Sequence, residues 1–429
     1  MSEAAAHTAI EALIRESYGR LVAYLAARSG DIAGAEDALS DALVAALQRW
    51  PIDGVPFKPE AWLLQVARNR RIDAARRRKV REEFAPIVRQ LTEEAQGVAM
   101  NQQSFPDERL KLLFVCGHPA IDPAARTPLM LQTVLGLDAA RIASAFLSSP
   151  EAMSQRLVRA KTKIRDSVIP FSVPEPTEWP ERVEFVLDAI YAAYTTGWDS
   201  INEADTTRRS LAAEAIQLGR TLVQLMPEEP EARGLLALML HCEARSAART
   251  TAAGEFVPLD RQDTTRWERS MMAEAEEQLR LAAADATRDG RRMGEGRGRE
   301  MRFGRYQLEA AIQSIHAHRA ETGVIDWAQI ALLYEGLVRI APRIGLLVGR
   351  AVALVEAVSP ERGLAALDEI SDQRVTTYQP YWAARAHILS RLGRNEEAQS
   401  AFERASSLTE DPALKNHLLR RAAEIAEKR

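Results

Sequence analysis

Asn69, Arg70, Asp73, Arg76 and Arg77 recur at three- and four-residue spacing inside WLLQVARNRRIDAARRRKVR, Trp62–Arg81, a stretch whose arginines are interrupted by a single acid, Asp73. Guanidinium groups suit phosphates, and Asn and Arg also match base edges. On a helix turning about 100° per residue, Ala61, Leu63, Leu64, Ala67, Ile72, Ala74 and Ala75 share one side. Trp62 joins the five polar residues opposite, while Arg68 and Arg71 fall at the margin of the apolar side. The pattern predicts a core face backing a basic face that meets a polyanion; the alternative is a solvated helix end. Just upstream, RWPIDGVPFKPEAW (Arg49–Trp62) is a Pro/Gly loop in which Phe57 and Lys58 offer a candidate pocket for an unstacked base.

A second set of polar side chains lies in LDAARIASAFLSSPEAMSQRLVRAK, which has a helix-turn-helix layout. Asp138 is placed to cap the first helix. Ser149 caps the second, with Pro150 at its first position and Glu151 in its first turn. Met153, Leu157, Ala160 and Ile164 form the inward stripe, which leaves Ser154, Gln155, Arg156, Arg159 and Lys163 outside. Short polar groups near the N-terminus followed by cations are what entry into a major groove needs. Any small helical bundle can mimic one such pattern, but two basic readers joined by a linker are far more specific.

Catalytic chemistry finds little support. His316 and His318 in SIHAHRAE lack further ligands at local spacing and are expected to be ordinary core or surface residues. No GxxxxGK[ST], HExxH or GxSxG occurs. The two cysteines, Cys116 and Cys242, are far apart and neither has metal spacing. The reading is a binding protein with no catalytic residue, cofactor or metal, in a reducing compartment.

Helical periodicity dominates and β-branched alternation is nearly absent, so the expected fold class is all-α. With 429 residues, two or three domains are expected. The polar stretch Glu82–Arg109 reads as a linker, and IPFSVPEPTEWPE (Ile169–Glu181), with four prolines, as a stiff boundary. The expected division is 8–81, a linker 82–105, 106–170, a Pro-rich linker 171–180, and 181–429. Arg288–Arg305 reads as a Gly/Arg surface loop.

The order AEDALSDALVAALQRW, Pro/Gly loop, PEAWLLQVARNRRIDAARRR, linker, LDAARIASAFLSSPEAMSQRLVRAKTKIR resembles an extracytoplasmic-function sigma factor of the sigma-70 family. The resemblance covers about residues 8–170. It implies a bacterial RNA polymerase subunit with two promoter-reading modules, region 2 at 8–81 and region 4 at 106–170. By that likeness Glu36, Asp37 and Asp41 dock the clamp of the largest polymerase subunit. Pro56–Lys58, Trp62, Asn69, Arg70, Asp73, Arg76 and Arg77 would meet the -10 element. Ser154, Gln155, Arg156, Arg159, Lys161 and Lys163 would meet the -35 element, and residues 82–105 would thread the polymerase's RNA path. The sequence departs from the family in the few aromatics of its docking helix and in Val158, where some relatives place an aromatic or histidine.

The chain continues past the second module, which resembles the subgroup with a C-terminal helical-repeat extension. YWAARAHILSRLGRNEEAQSAFERASSL places Trp382, Ala386, Leu389, Leu392, Gly393, Ala398, Phe402 and Ala405 at tetratricopeptide spacing. An irregular helical domain is the alternative. Net charge supports a divided chain. Of 56 basic and 60 acidic residues, 23 and 20 lie in the first 170, leaving 33 and 40 behind. A polyanion contact is thus expected at the front. No signal peptide is read at Met1–Arg20, and Arg343, Arg350 and Glu356 interrupt the apolar run near 343–358, so a cytoplasmic location without membrane contact is expected. The implied partners are core RNA polymerase, promoter DNA and a possible regulatory protein at the rear domain. The rival reading is a helix-turn-helix regulator whose rear domain senses a ligand or protein and which needs no polymerase.

Overall fold

The computed structural model describes residues 3–79, 108–146, 148–175, 178, 182–198, 206–292 and 303–426. The protein is all-α: helices and turns account for these residues, and a lone bridge between Thr250 and Phe256 is their one strand-like pairing. No helix among them is long and apolar enough to cross a membrane. The chain divides into two compact units, residues 1–193 and 194–429. Both front modules therefore lie in one unit, and the division falls inside a helix, Val183–Trp198, beyond the Pro-rich segment.

In the first unit α1 (Glu3–Ser29) and α2 (Ile32–Asp53) form a hairpin. Gly30 turns the chain at φ 66°, and Asp31 caps α2 by accepting from Gly34 N at 3.1 Å. Buried positions Ile32, Ala35, Ala38, Leu39, Ala42, Ala46 and Trp50 recur at helical spacing, so α2 hides one face. Residues Leu21–Ala26 are buried without a break, because α1 packs against α2, against α3 (Pro59–Lys79), and against α4 (Arg109–Cys116) and α5 (Pro123–Leu135). A methyl group on Gly19 would meet Val134 O at 1.8 Å, so α1 and the end of α5 approach backbone to backbone. The short α6 (Ala139–Ala145) and α7 (Pro150–Asp166) follow. Their caps are as expected: Arg141 N donates to Asp138 at 2.8 Å and Ala152 N to Ser149 Oγ at 3.2 Å. Met153, Leu157, Ala160 and Ile164 are the buried stripe of α7. α8 (Val183–Trp198) ends the first unit and opens the second.

The second unit continues with α9 (Thr206–Leu225), α10 (Pro230–Glu243), α11 (Arg269–Arg292) and α12 (Arg305–Thr322). α10 packs against α9, α11 and α12 at once and is buried almost all round, from Gly234 to His241. A Cβ on Gly234 would lie 2.6 Å from Gln307 N, so only glycine permits that crossing. Six helices follow: α13 (Trp327–Ile340), α14 (Ile344–Ala357), α15 (Pro360–Asp368), α16 (Gln379–Arg391), α17 (Asn395–Ser407) and α18 (Pro412–Ala426). Each packs chiefly on its neighbours in sequence. Gly393 turns α16 into α17 at φ 70°, and Ala386, Leu389, Ala398, Phe402 and Ala405 share one core with Trp382 and Leu392. The expected linker 82–105 and most of the Gly/Arg loop 288–305 lie outside the described residues.

Candidate nucleic-acid interface

Trp50 closes the core at the end of α2, and Gly54, at φ 86°, turns the chain outward with its N–H bonded to Trp50 O at 3.0 Å. The loop that follows leaves Phe57 97% exposed, with Lys58 exposed and Pro56 half-buried. A phenyl ring held wholly in water contributes nothing to the chain's own core, and such a ring suits stacking by a base. Trp62 corrects the helical wheel. It is half-buried and meets Trp50 edge-on at 5.4 Å, because Trp50 of α2 reaches across to a side of α3 that looks free in sequence. Leu63, Leu64 and Ala67 are buried as expected, and Asn69 is exposed. α3 continues through Lys79 and carries Arg70, Asp73, Arg76 and Arg77, whose side chains lie outside the described ones.

On α7, Ser154, Gln155, Arg159 and Lys163 are exposed, and Arg156 is half-buried. Between them Val158 and Thr162 are exposed on the same outer surface and escaped the polar pattern. Lys161 does not join them. Its Nζ lies 2.5 Å from Glu36 Oε2 of α2, both side chains being mostly buried. Burial raises the Glu36 carboxyl above its ordinary range, and the lysine opposes that rise by charge and hydrogen bond. Tyr18 and Cys116 feel the same carboxylate; burial, the larger cause for both, pushes the Cys116 thiol up to about 12. A lysine expected on DNA and a glutamate expected on polymerase are thus each other's partner.

Asp37 and Asp41, the other expected docking residues, are exposed on α2. Beside them stand Val44 and Leu47, apolar yet exposed, which sequence reasoning missed. Their signal is positional: they fall outside the buried repeat Ala35–Leu39–Ala42–Ala46. The outer face of α2 therefore combines acid and exposed hydrocarbon, which suits a basic, partly apolar protein surface. His316 is buried edge-on against Trp327 at 5.5 Å and His318 is exposed.

Comparison with known proteins bears on both units. Residues 13–81 match sigma-70 region 2, which takes in α2, the Phe57 loop and α3. Residues 182–283 match a family of unknown function (DUF6596). An uncharacterized protein of Rhizobium meliloti is 36% identical over 397 residues, covering 92% of this chain and 89% of the relative. No solved structure matches. The chain belongs to one family with this Rhizobium protein, and its first module is a sigma-70 region 2.

Proposed function

We propose that the protein is a sigma factor of the extracytoplasmic-function type, a binding protein without catalytic turnover that directs core RNA polymerase to promoters from the cytoplasm. The observation that carries this reading is the sigma-70 region 2 match at 13–81, with Phe57 wholly exposed at the head of the basic helix α3. Pro56, Phe57 and Lys58 capture an unstacked -10 base, while Asn69, Arg70, Asp73, Arg76 and Arg77 track the -10 duplex. α6 and α7 act as a region 4 helix-turn-helix, offering Ser154, Gln155, Arg156, Arg159 and Lys163 to the -35 element. The outer face of α2, with Asp37, Asp41, Val44 and Leu47, docks polymerase, and residues 82–105 thread its RNA path. Glu36 and Lys161 serve these surfaces only after their ion pair parts. The described arrangement is then that of the chain before it joins polymerase. Residues 181–429 form a helical-repeat domain that tunes activity.

The test is run-off transcription with purified core polymerase on fragments selected from the host genome by the holoenzyme. Discrete start sites that require the protein are expected. DNA binding without any such start site would overturn the reading in favour of a regulator that works apart from polymerase.

A further inference from the structure

The second unit holds a buried basic cluster that promoter recognition leaves unused. Arg245 lies two residues beyond the end of α10 and is 7% exposed. Among the described residues its Nε and Nη1 have no acceptor. Its Nη2 donates to Gln313 Oε1 of α12 at 2.7 Å and reaches Cys242 Sγ at 3.6 Å. Neither partner carries charge, since burial holds the Cys242 thiol protonated. A guanidinium cannot escape burial by losing its proton, so this one is a fixed cation.

The neighbouring groups are bases or donors as well. His241 is 1% exposed, and neither ring nitrogen has a hydrogen-bond partner among the described residues; Nε2 lies 3.4 Å from Glu276 Oε1. That carboxylate accepts from Ser314 Oγ at 2.7 Å. His316 is buried with Nδ1 unpartnered. Burial, reinforced by Arg245, holds both imidazoles neutral, His241 down to about 3 and His316 down to about 4. Trp267 is buried with its Nε1 unpartnered, and the Arg319 guanidinium covers its ring at 5.2 Å. Glu309, one turn before Gln313, is engaged by Arg305 at 2.7 Å. Three elements, the end of α10, the turn before α11 and the middle of α12, thus supply the buried charge of Arg245, with Arg319 at the edge over Trp267, and several idle donors. No carboxylate contacts Arg245 among the described residues.

We propose that this cluster binds a small organic monocarboxylate, one oxygen of which accepts from Arg245 Nε beside the neutral rings of His241 and His316. Arg245 is a buried cation with no counter-charge in contact with it among the described residues, and a carboxylate supplies one. A carboxylate is an acceptor only, whereas inorganic phosphate near neutral pH also carries hydroxyl donors, which a cluster already rich in idle donors does not need. Such a site gives the rear unit a chemical signal to read. It lies wholly within that unit and stands whether or not the front unit serves polymerase.

The experiment measures the unfolding midpoint of the full chain against acetate, propionate, butyrate and inorganic phosphate, with chloride at matched ionic strength as control. A saturable rise with a monocarboxylate, absent with chloride and lost in Arg245→Met, is expected. Ligand-free Arg245→Met should itself unfold at a higher temperature than wild type, because methionine removes an uncompensated buried charge. A flat response to all three monocarboxylates overturns the proposal, as does a response that Arg245→Met retains. A response to phosphate alone overturns the monocarboxylate assignment. A ligand-free Arg245→Met less stable than wild type would mean that the chain itself satisfies Arg245, and that too overturns the site.

Discussion

Phe57 has no packing to lose, since its side chain already faces water. Phe57→Ala is therefore expected to change stability by less than about 0.5 kcal/mol, yet to reduce promoter opening, read by permanganate reactivity of unpaired thymines, at unchanged affinity for core polymerase. Undiminished opening would remove base capture from this loop. Glu231 is the opposite case. Its half-buried carboxylate accepts from Tyr306 N at 2.9 Å and Gln307 N at 3.0 Å, at the first turn of α12. Burial pushes the group up to about 7, against the pull of those two hydrogen bonds. Between its ordinary value of 4.5 and about 7 the folded chain keeps a proton that the unfolded chain has released. Its contribution to stability therefore falls as pH rises through that window. Glu231→Gln abolishes the titration, so the variant should gain on wild type between pH 5 and pH 8, by at most about 3 kcal/mol. His241 and His316 act in the other direction, losing stability on acidification below 6.5, but they cancel in the difference between the two proteins. Parallel stability curves would show that Glu231 is ionised throughout.

Helix periodicity reports each helix's own faces, and there the sequence was readable. The stripe Met153, Leu157, Ala160 and Ile164, the caps at Asp138 and Ser149, and the shared core of α16 and α17 all follow from local spacing. What a helix meets is another matter. Glu36 and Lys161 are separated by 125 residues, and each looks like a free surface charge until α2 and α7 are brought together. Trp62 failed for the same reason, since its partner Trp50 belongs to another helix. The basic cluster around Arg245 draws on three elements, so no window of sequence contains it. The Glu36–Lys161 contact makes an element-scale prediction. Glu36→Lys and Lys161→Glu should each lower the unfolding midpoint, and the double swap should recover most of the loss, with a coupling of about 1–2 kcal/mol. Additive single and double effects would mean that α2 and α7 part in solution.

Where the chain is cut decides what a truncation measures. The compact first unit runs to residue 193, past the Pro-rich segment that sequence marks as the boundary. Arg126 of α5 stacks on Phe185 of α8 at 4.4 Å, and its guanidinium donates to the carbonyls of Pro119 and Ile121 at 3.0 Å. Arg182 is buried, and its carbonyl lies 3.6 Å from where a methyl on Gly117 would stand. A fragment ending at residue 170 loses the Phe185 ring and the Arg182 packing along with the rear unit, so any loss of activity mixes a damaged front with a missing rear. A fragment ending at residue 198 keeps α8 whole. The longer fragment is expected to unfold at a higher temperature than the shorter, by the equivalent of about 2–4 kcal/mol for the aromatic and aliphatic burial regained. With fold accounted for in this way, promoter-specific transcription by 1–198 reports on the rear unit alone. The helices of that unit share continuous cores, such as the one joining Val355, Leu367, Ile388 and Phe402, which marks a packed domain. Transcription by 1–198 should therefore fall well below that of the full chain at equal abundance. A fragment that transcribes more strongly than the full chain would make the rear unit an inhibitor.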